Sequence, residues 1–437
     1  MIVKEPANKR FVFTLFFMNH MLDKTGVSRF MLGQQKVFLS HGISYVSAFI
    51  IRRAYFNGRI EAFNEYGLLV DGEYQGVFSE PELTVELMKW NEEDVVMLDF
   101  HIHHFLHVKL DDIDHFLRSF PELSVKIYLH DYYTLCQNYN LLKNDEHYCG
   151  GKGLTPGNCN DCRYYNSSKV YSEKLFDLLN RFKDRLLFIS PSETTKEIFL
   201  AFHPEYADKT EVIPHLKLVG SSRSNIEPVK EDEPVNIAFL GYRNPRKGWD
   251  LWKSITAQHK NDSEYSFFIL NSDDLEYEDM KKVPVRFTED SMDAMTKALI
   301  ENRIHAVFLW SVWPETYSYT FFESYSANCF VITSKDSGNI AAVVQRYGNG
   351  RSFGSNSELD VFFSSRELKQ EINRFRMSGK TGPEFIIDND EMVDRCLGFR
   401  GRKQKVEAIS GRKTNTFIMW VLNRHYDKRY RIKRIKT

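Results

Sequence analysis

The sequence predicts an α/β protein built from two doubly wound domains in tandem, and three observations predict it. Short β-rich apolar runs alternate with helical patterns throughout, which argues for parallel sheets with crossover helices. The alternation restarts after a polar stretch in mid-chain. At 437 residues the chain exceeds one core of ordinary size, the usual allowance being about one domain per 150 residues. With 42% apolar, 14% aromatic and 27% charged residues it reads as an ordinary globular protein, which excludes disordered and fibrous classes. It carries no low-complexity tract or fixed-period repeat.

The first domain is expected over residues 1–218. Its opening run, Phe11 to Phe17, has basic residues upstream like a signal core. It is short, lacks a small-residue cleavage site and runs straight into "MNHMLDKTG", so a buried strand is expected. Ser44–Ile50, Val95–Asp99, Val125–Leu129 and Leu186–Ser190 supply the next strands. The stretch "LVGSSRSNIEPVKEDEPVN", Leu218 to Asn236, reads as an interdomain linker. The second domain, expected over 235–399, has strands at Ile237–Leu240, Ser266–Leu270, Val283–Phe287, Ala306–Trp310 and Phe330–Thr333, with helices such as Lys247–His259 and Ser291–Asn302. In doubly wound sheets ligands bind beyond the carboxyl ends of the strands, so the cleft between the domains is the expected site.

Residues 400–437 are expected to form a basic helix or tail. The chain's net charge of -1 conceals thirteen Lys/Arg against Glu407 and Asp427 in this segment, a surplus of +11 that leaves -12 for the rest. The apolar start "FIMWVL" followed by cations suits an anionic membrane surface, each cation contributing about 1 kcal/mol near it. Nucleic acid would be drawn by the same charge but is the less favoured partner; a solvated tail packed on the first domain is the plain alternative. No apolar run approaches the roughly 20 residues of a membrane span. A cytoplasmic protein with reduced cysteines, peripheral on the inner face of the cell membrane, is therefore expected.

Candidate chemistry begins with "WPETYSYTFFESYSANCFVIT", Trp313 to Thr333. A helix is expected to start between Ser318 and Thr320, its unpaired N–H groups suited to a diphosphate. Glu315 falls in the loop before it and Glu323 near its first turn, so the two carboxylates can accept hydrogen bonds from hydroxyls at opposite ends of one ligand. "TFFE", Thr320 to Glu323, also fits a capping box in which Glu323 serves only its own helix start. Upstream, "FLGYRNPRKGWD" places Arg243, Arg246 and Lys247 just beyond a strand, where cations could clamp phosphate oxygens or simply form a solvated turn.

Glu315 and Glu323 within "PETYSYTFFESYSANCFVITSKDSGN", with "GYRNPRKG" about 70 residues upstream, resemble the retaining GT-B glycosyltransferases, especially glycosyltransferase family four. The resemblance implies a GT-B fold, two Rossmann-like domains facing a central cleft, and a nucleotide-diphosphate sugar as donor. It implies that Lys247 and Arg243 hold the diphosphate, that Glu315 contacts donor-sugar hydroxyls, and that Glu323 binds the ribose. Backbone groups of Thr316, Tyr317 and Ser318 would line the phosphates. The family often has Gly-Phe-Gly at those three positions, so donor choice is expected to be set there.

In the first domain, "DKTGVSRF" resembles the family's glycine-rich loop, Gly26 letting backbone approach the donor and Arg29 opening the next helix; by itself it reads as a plain loop. His130 and Asp131 end a strand in "YLHDYYTL", and the family pattern implies that His130 contacts the donor sugar near the reacting carbon, the plain alternative being a core histidine. His101, His103, His104 and His107 line the acceptor side or cap a helix. No carboxylate in these motifs is obviously placed as a nucleophile, and the resemblance implies a same-face transfer, with Arg243 and Lys247 stabilising the departing diphosphate and no metal required for catalysis.

Cys136, Cys149, Cys159 and Cys162 fall in one Gly- and Asn-rich insertion, about residues 136–165, ending in C-x2-C. The count suits a structural zinc site; an iron–sulfur cluster, free thiols and redox pairing are the alternatives. Together these features lead to a glycosyltransferase acting on a glycan, lipid-linked, in surface polysaccharide assembly. The rivals are a nucleotide-sugar epimerase of the same fold and a non-catalytic, metal-stabilised binding protein using its tail on membrane or nucleic acid.

Overall fold

The computed structural model describes residues 3–397 apart from 57–58, 93–94, 222–225, 274, 278 and 288–292; the basic tail, with its membrane expectation, lies outside the described residues. Strands β1 (Arg10–Phe16), β2 (Ser44–Phe56), β3 (Arg59–Val70), β4 (Glu73–Phe78), β5 (Val96–Ile102) and β6 (Ser124–Tyr128) open the chain. A short ladder, β7 (Leu142–Lys143) with β8 (His147–Tyr148), lies in the cysteine-rich insertion, and β9 (Leu186–Ser190) and β10 (Thr210–Val212) follow. The first sheet runs β10-β9-β6-β5-β1-β2-β3-β4, parallel from β10 to β2 and antiparallel at its far edge.

After β11 (Leu216–Val219) come β12 (Val235–Leu240), β13 (Tyr265–Asn271), β14 (Lys281–Pro284), β15 (Ala306–Phe308), β16 (Phe330–Ser334) and β17 (Gly350–Phe353). Their order, β14-β13-β12-β15-β16-β17, is wholly parallel and is the dinucleotide-fold order 3-2-1-4-5-6. The expected α/β fold of two doubly wound, Rossmann-like domains is therefore the one observed. Strand β14, expected over Val283–Phe287, instead ends at Pro284, which has no N–H to continue an edge ladder.

Each parallel sheet is covered on both faces, and strand alternation shows how. Along β1, Phe11, Phe13 and Leu15 enter one buried cluster while Val12 and Phe16 enter another. Along β12, Ile237 and Phe239 face the cluster around Trp252, and Ala238 and Leu240 face the cluster around Phe321. The antiparallel edge was not expected. Asp71 and Gly72, with φ of 51° and 83°, close the β3-β4 turn in the left-handed conformation that a two-residue hairpin demands.

Within the described residues the chain crosses between domains twice. The linker strand β11 pairs antiparallel with β18 (Phe385–Asp388). The helix Glu391–Leu397 that follows puts Met392, Val393 and Cys396 in the same buried cluster as Val12, Phe16 and Leu98. Among the described residues no helix is long and apolar enough to cross a membrane.

Candidate functional site

Both sheets reverse strand order at their first strand, β1 between β2 and β5 and β12 between β13 and β15. The candidate residues follow the carboxyl ends of parallel strands: Gly26 and Arg29 after β1, His130 after β6, Lys247 after β12 and Glu315 after β15. In the second domain the helix Tyr319–Ser326 starts where expected, with Ser318 as its N-cap: Ser318 Oγ accepts from Phe321 N at 3.2 Å. The capping box on Thr320 and Glu323 is not formed, because Ser318 already fills the cap and Thr320 Oγ1 lies 3.0 Å from Ser318 Oγ. Glu323 is thereby free to face the first domain.

Glu315 is only 6% exposed and is held from both sides. Its carbonyl accepts from Asn339 N at 2.9 Å. Gly338 beside it has φ 59°, and a Cβ there would lie 2.5 Å from Pro314 Cα, so this approach requires glycine. The Glu315 carboxylate accepts from Ser311 Oγ at 3.2 Å and lies 3.4 Å from the half-exposed Lys247 ammonium. Lys247 ends the turn Pro245–Lys247, which Asn244 caps by accepting from Arg246 N at 2.9 Å. Val312 N donates to Arg246 O at 3.0 Å, fastening this basic turn to the loop that carries Glu315. Arg243 is turned instead toward Asp273, at 4.0 Å, and the ring of Tyr277.

In the first domain the helix Gly26–Ser40 is capped by Thr25, whose Oγ1 accepts from Ser28 N at 3.0 Å. A Cβ at Gly26 would meet nothing within 4 Å, so the helix start opens onto free space. Arg29, in the first turn, reaches the other domain: its Nη1 donates to Glu323 Oε1 at 2.7 Å, and its guanidinium lies 4.2 Å over the Tyr319 ring. Glu323 is fully buried. Burial pushes its carboxyl up, and Arg29 opposes that shift. Among the described residues, Glu323 Oε2 and Arg29 Nε find no hydrogen-bond partner.

His130 stands directly across from the Glu315 loop. Its carbonyl accepts from Thr316 Oγ1 at 2.6 Å, its Nε2 lies 3.0 Å from His103 Nδ1, and its Nδ1 is buried without a partner among the described residues. Ser192 Oγ and Thr195 Oγ1 donate to Thr316 O at 2.8 and 3.3 Å, and Tyr317 OH accepts from Leu216 N at 3.2 Å. The Thr316-Tyr317-Ser318 segment thus joins the domains as well as starting the helix.

Sequence reasoning missed His215, which sits between β10 and β11 with its ring 4.3 Å from Phe30, 4.4 Å from Tyr317 and 5.2 Å from His130. A histidine at a strand end was the available signal, the same one that pointed to His130. His103 joins His130, while His104 Nε2 lies against the Asp131 carboxylate and His101 lies in the core beside Tyr128.

Burial keeps this histidine cluster neutral. It holds His101 and His215 down to about 3 and His103 and His130 well below the ordinary value, and it holds His20, buried 3.1 Å from Gln35 Oε1, to about 4. Such groups bind fewer protons folded than unfolded, so the stability they permit is complete above about 6.5 and is lost as pH falls toward 4. The thermal midpoint is expected to decline steadily from pH 7 to pH 5 in a pH series of melting curves. A flat midpoint over that range would contradict the neutral cluster.

The four cysteines of the insertion line one cavity, together with Leu141 and Phe202. All are free thiols, and burial pushes Cys136 up to about 11.

No family model matches the chain, and no curated protein matches it. Among solved structures it is similar to sucrose-phosphate synthase from Thermosynechococcus elongatus, at 11% identity over 85% of this chain and 95% of that one, TM-score 0.49. HepE from Anabaena in complex with UDP-glucose is similar at 12% identity over 85% and 93%, TM-score 0.49. The catalytic domain of starch synthase IV from Arabidopsis thaliana, bound to ADP and acarbose, is similar at 10% identity over 90% and 98%, TM-score 0.45. These likenesses concern architecture and assign no activity to this chain.

Proposed function

We propose that the chain is a retaining GT-B glycosyltransferase that moves a sugar from a nucleotide-diphosphate donor to a glycan acceptor, lipid-linked, in surface polysaccharide assembly. One observation carries this reading. Two buried carboxylates, Glu315 and Glu323, flank a helix start at the mouths of two doubly wound sheets, with a half-exposed lysine 3.4 Å from the first.

Each group has a part that its surroundings suit. Glu323 Oε2 is a buried acceptor with a free lone pair, which a ribose hydroxyl would satisfy. Glu315, fixed by Ser311, accepts from hydroxyls of the sugar. Lys247 projects where negative charge builds on the departing diphosphate, and a cation held there before reaction favours the transition state over the ground state. Arg243 supplements it on leaving Asp273. Neutral His130 offers Nδ1 to the sugar. Glu315 is engaged by Lys247 and Ser311, so the reading favours a same-face transfer in which the leaving phosphate takes the acceptor proton. Gly26 and the free start of its helix admit the phosphates from the other side.

A thermal-shift panel of UDP-, GDP-, ADP- and dTDP-sugars tests this reading. One nucleotide class is expected to raise the midpoint and to release its sugar to acceptor or water. A chain indifferent to all four would overturn the reading.

A further inference from the structure

We propose that Cys136, Cys149, Cys159 and Cys162 hold a single zinc ion, and that this ion sets the insertion so that Asp145 meets Arg246 of the other domain. The four thiols come from three separate points of the insertion and line the same cavity. Cys159 and Cys162 share one turn, Cys162 N donating to Cys159 O at 3.1 Å. Cys149 directly follows β8, and its N donates to Leu141 O at 3.0 Å. Four thiolates around one cavity supply the ligand count of the tetrahedral set that zinc prefers.

The insertion contains little regular structure. Its one ladder pairs two residues with two, far below what is stable alone. Yet Leu141, Asn144, Asp145 and Asp161 all adopt φ between 54° and 70°, as does Gly151 at 59°. Non-glycine residues persist in that region only where their surroundings over-determine them. Asn144 Nδ2 donates to Asp161 O at 3.0 Å, and Arg163 N donates to Asn144 Oδ1 at 2.9 Å, so the hairpin turn is tied to the C-x2-C turn. Among the described residues these sulfurs are not a group of three within 4.8 Å; Asp99, His101 and Cys396 are. That tighter group already has a cation, Lys126 Nζ lying 3.5 Å from Asp99 Oδ1. The cysteine cavity is lined by Lys143 and Lys152 as well, cations that favour thiolates, and metal binding would draw the sulfurs inward with release of their protons.

The consequence falls on the cleft. Asp145 accepts from Asn138 Nδ2 and from Tyr164 OH, both at 2.8 Å, and pairs with Arg163. Its Oδ1 lies 3.6 Å from Arg246 Nη2, in the basic turn that carries Lys247. A metal that fixes the hairpin therefore fixes a contact between the domains.

Metal content is measured on the full chain without any substrate, so this proposal can fail while the transferase reading stands, and the reverse. Elemental analysis should find about one zinc per chain, and cobalt exchanged for it should show thiolate charge-transfer and tetrahedral visible bands. Cys159→Ser with Cys162→Ser should lose both, Cys329→Ala should keep both, and Asp145→Asn should keep the metal. Should the double variant fail to fold, cobalt titration of the reduced wild type decides alone. A wild type free of metal and without thiolate–cobalt bands, or a double variant with full zinc, would overturn the proposal. Wild type stripped by a chelator should be cut by protease within residues 136–165 faster than the zinc form; equal cutting would overturn the structural role.

Discussion

Lys247→Ala is expected to lower kcat for sugar transfer by about two to three orders of magnitude, the usual cost of losing one fixed charge-stabilising group at a reacting centre. The fold should tolerate the change. Lys247 is half exposed, and Glu315 keeps its bond from Ser311 when the ammonium is gone. Lys247→Arg retains the charge on a wider head and should recover part of the loss. Lys253, on the following helix and paired with Asp250, provides the matched control, and Lys253→Ala should transfer sugar at the wild-type rate. A Lys247→Ala enzyme with unchanged kcat would remove Lys247 from the site.

Glu323→Ala is expected to raise the donor KM by about 10- to 100-fold, since hydrogen bonds to a charged acceptor contribute roughly 1.5–3 kcal/mol. The substitution has a second effect that has to be separated from the first. It leaves Arg29, whose side chain is 18% exposed, without its partner across the domain boundary. Breaking a buried pair from one side costs about 3–5 kcal/mol when the survivor stays buried. Arg29 is less enclosed and rests on Tyr319, so the stability loss should fall below that range. Glu323→Gln retains an acceptor oxygen and should sit between wild type and Glu323→Ala in KM. Steady-state kinetics beside melting curves for both variants divide the two effects.

Much of this arrangement was legible in the chain because it depends on local pattern. Apolar runs bounded by polar turns marked β1, β2, β5, β6, β9, β12, β13, β15 and β16, and the start of the Glu323 helix was placed within a residue. The β3-β4 hairpin was missed although Asp71-Gly72 is a strong turn signal. The β11-β18 pairing was beyond reach for a different reason. Four residues on each side give little periodicity, and the partners lie about 170 positions apart.

Long separation also hid the site's main surprise. The sequence marks Arg29 and Glu323 separately, but nothing local says that residues 294 positions apart meet. The sequence places the Thr316 backbone near phosphates, whereas the Thr316 hydroxyl and carbonyl bind the first domain. Spacing could suggest that Glu315 and Glu323 face different ends of a ligand. Only the packing of two sheets could show that Glu323 turns away from its own helix start and into the boundary between the domains.

The central claim is that this boundary receives a nucleoside diphosphate through Glu323. Equilibrium titration of wild type, Glu323→Ala and Lys253→Ala with the nucleoside diphosphate chosen by the thermal-shift panel tests it most directly. Wild type and Lys253→Ala should bind alike and saturably, and Glu323→Ala at least about ten-fold more weakly while still melting cooperatively. Equal affinity in all three, or no saturable binding by the wild type, would contradict the account.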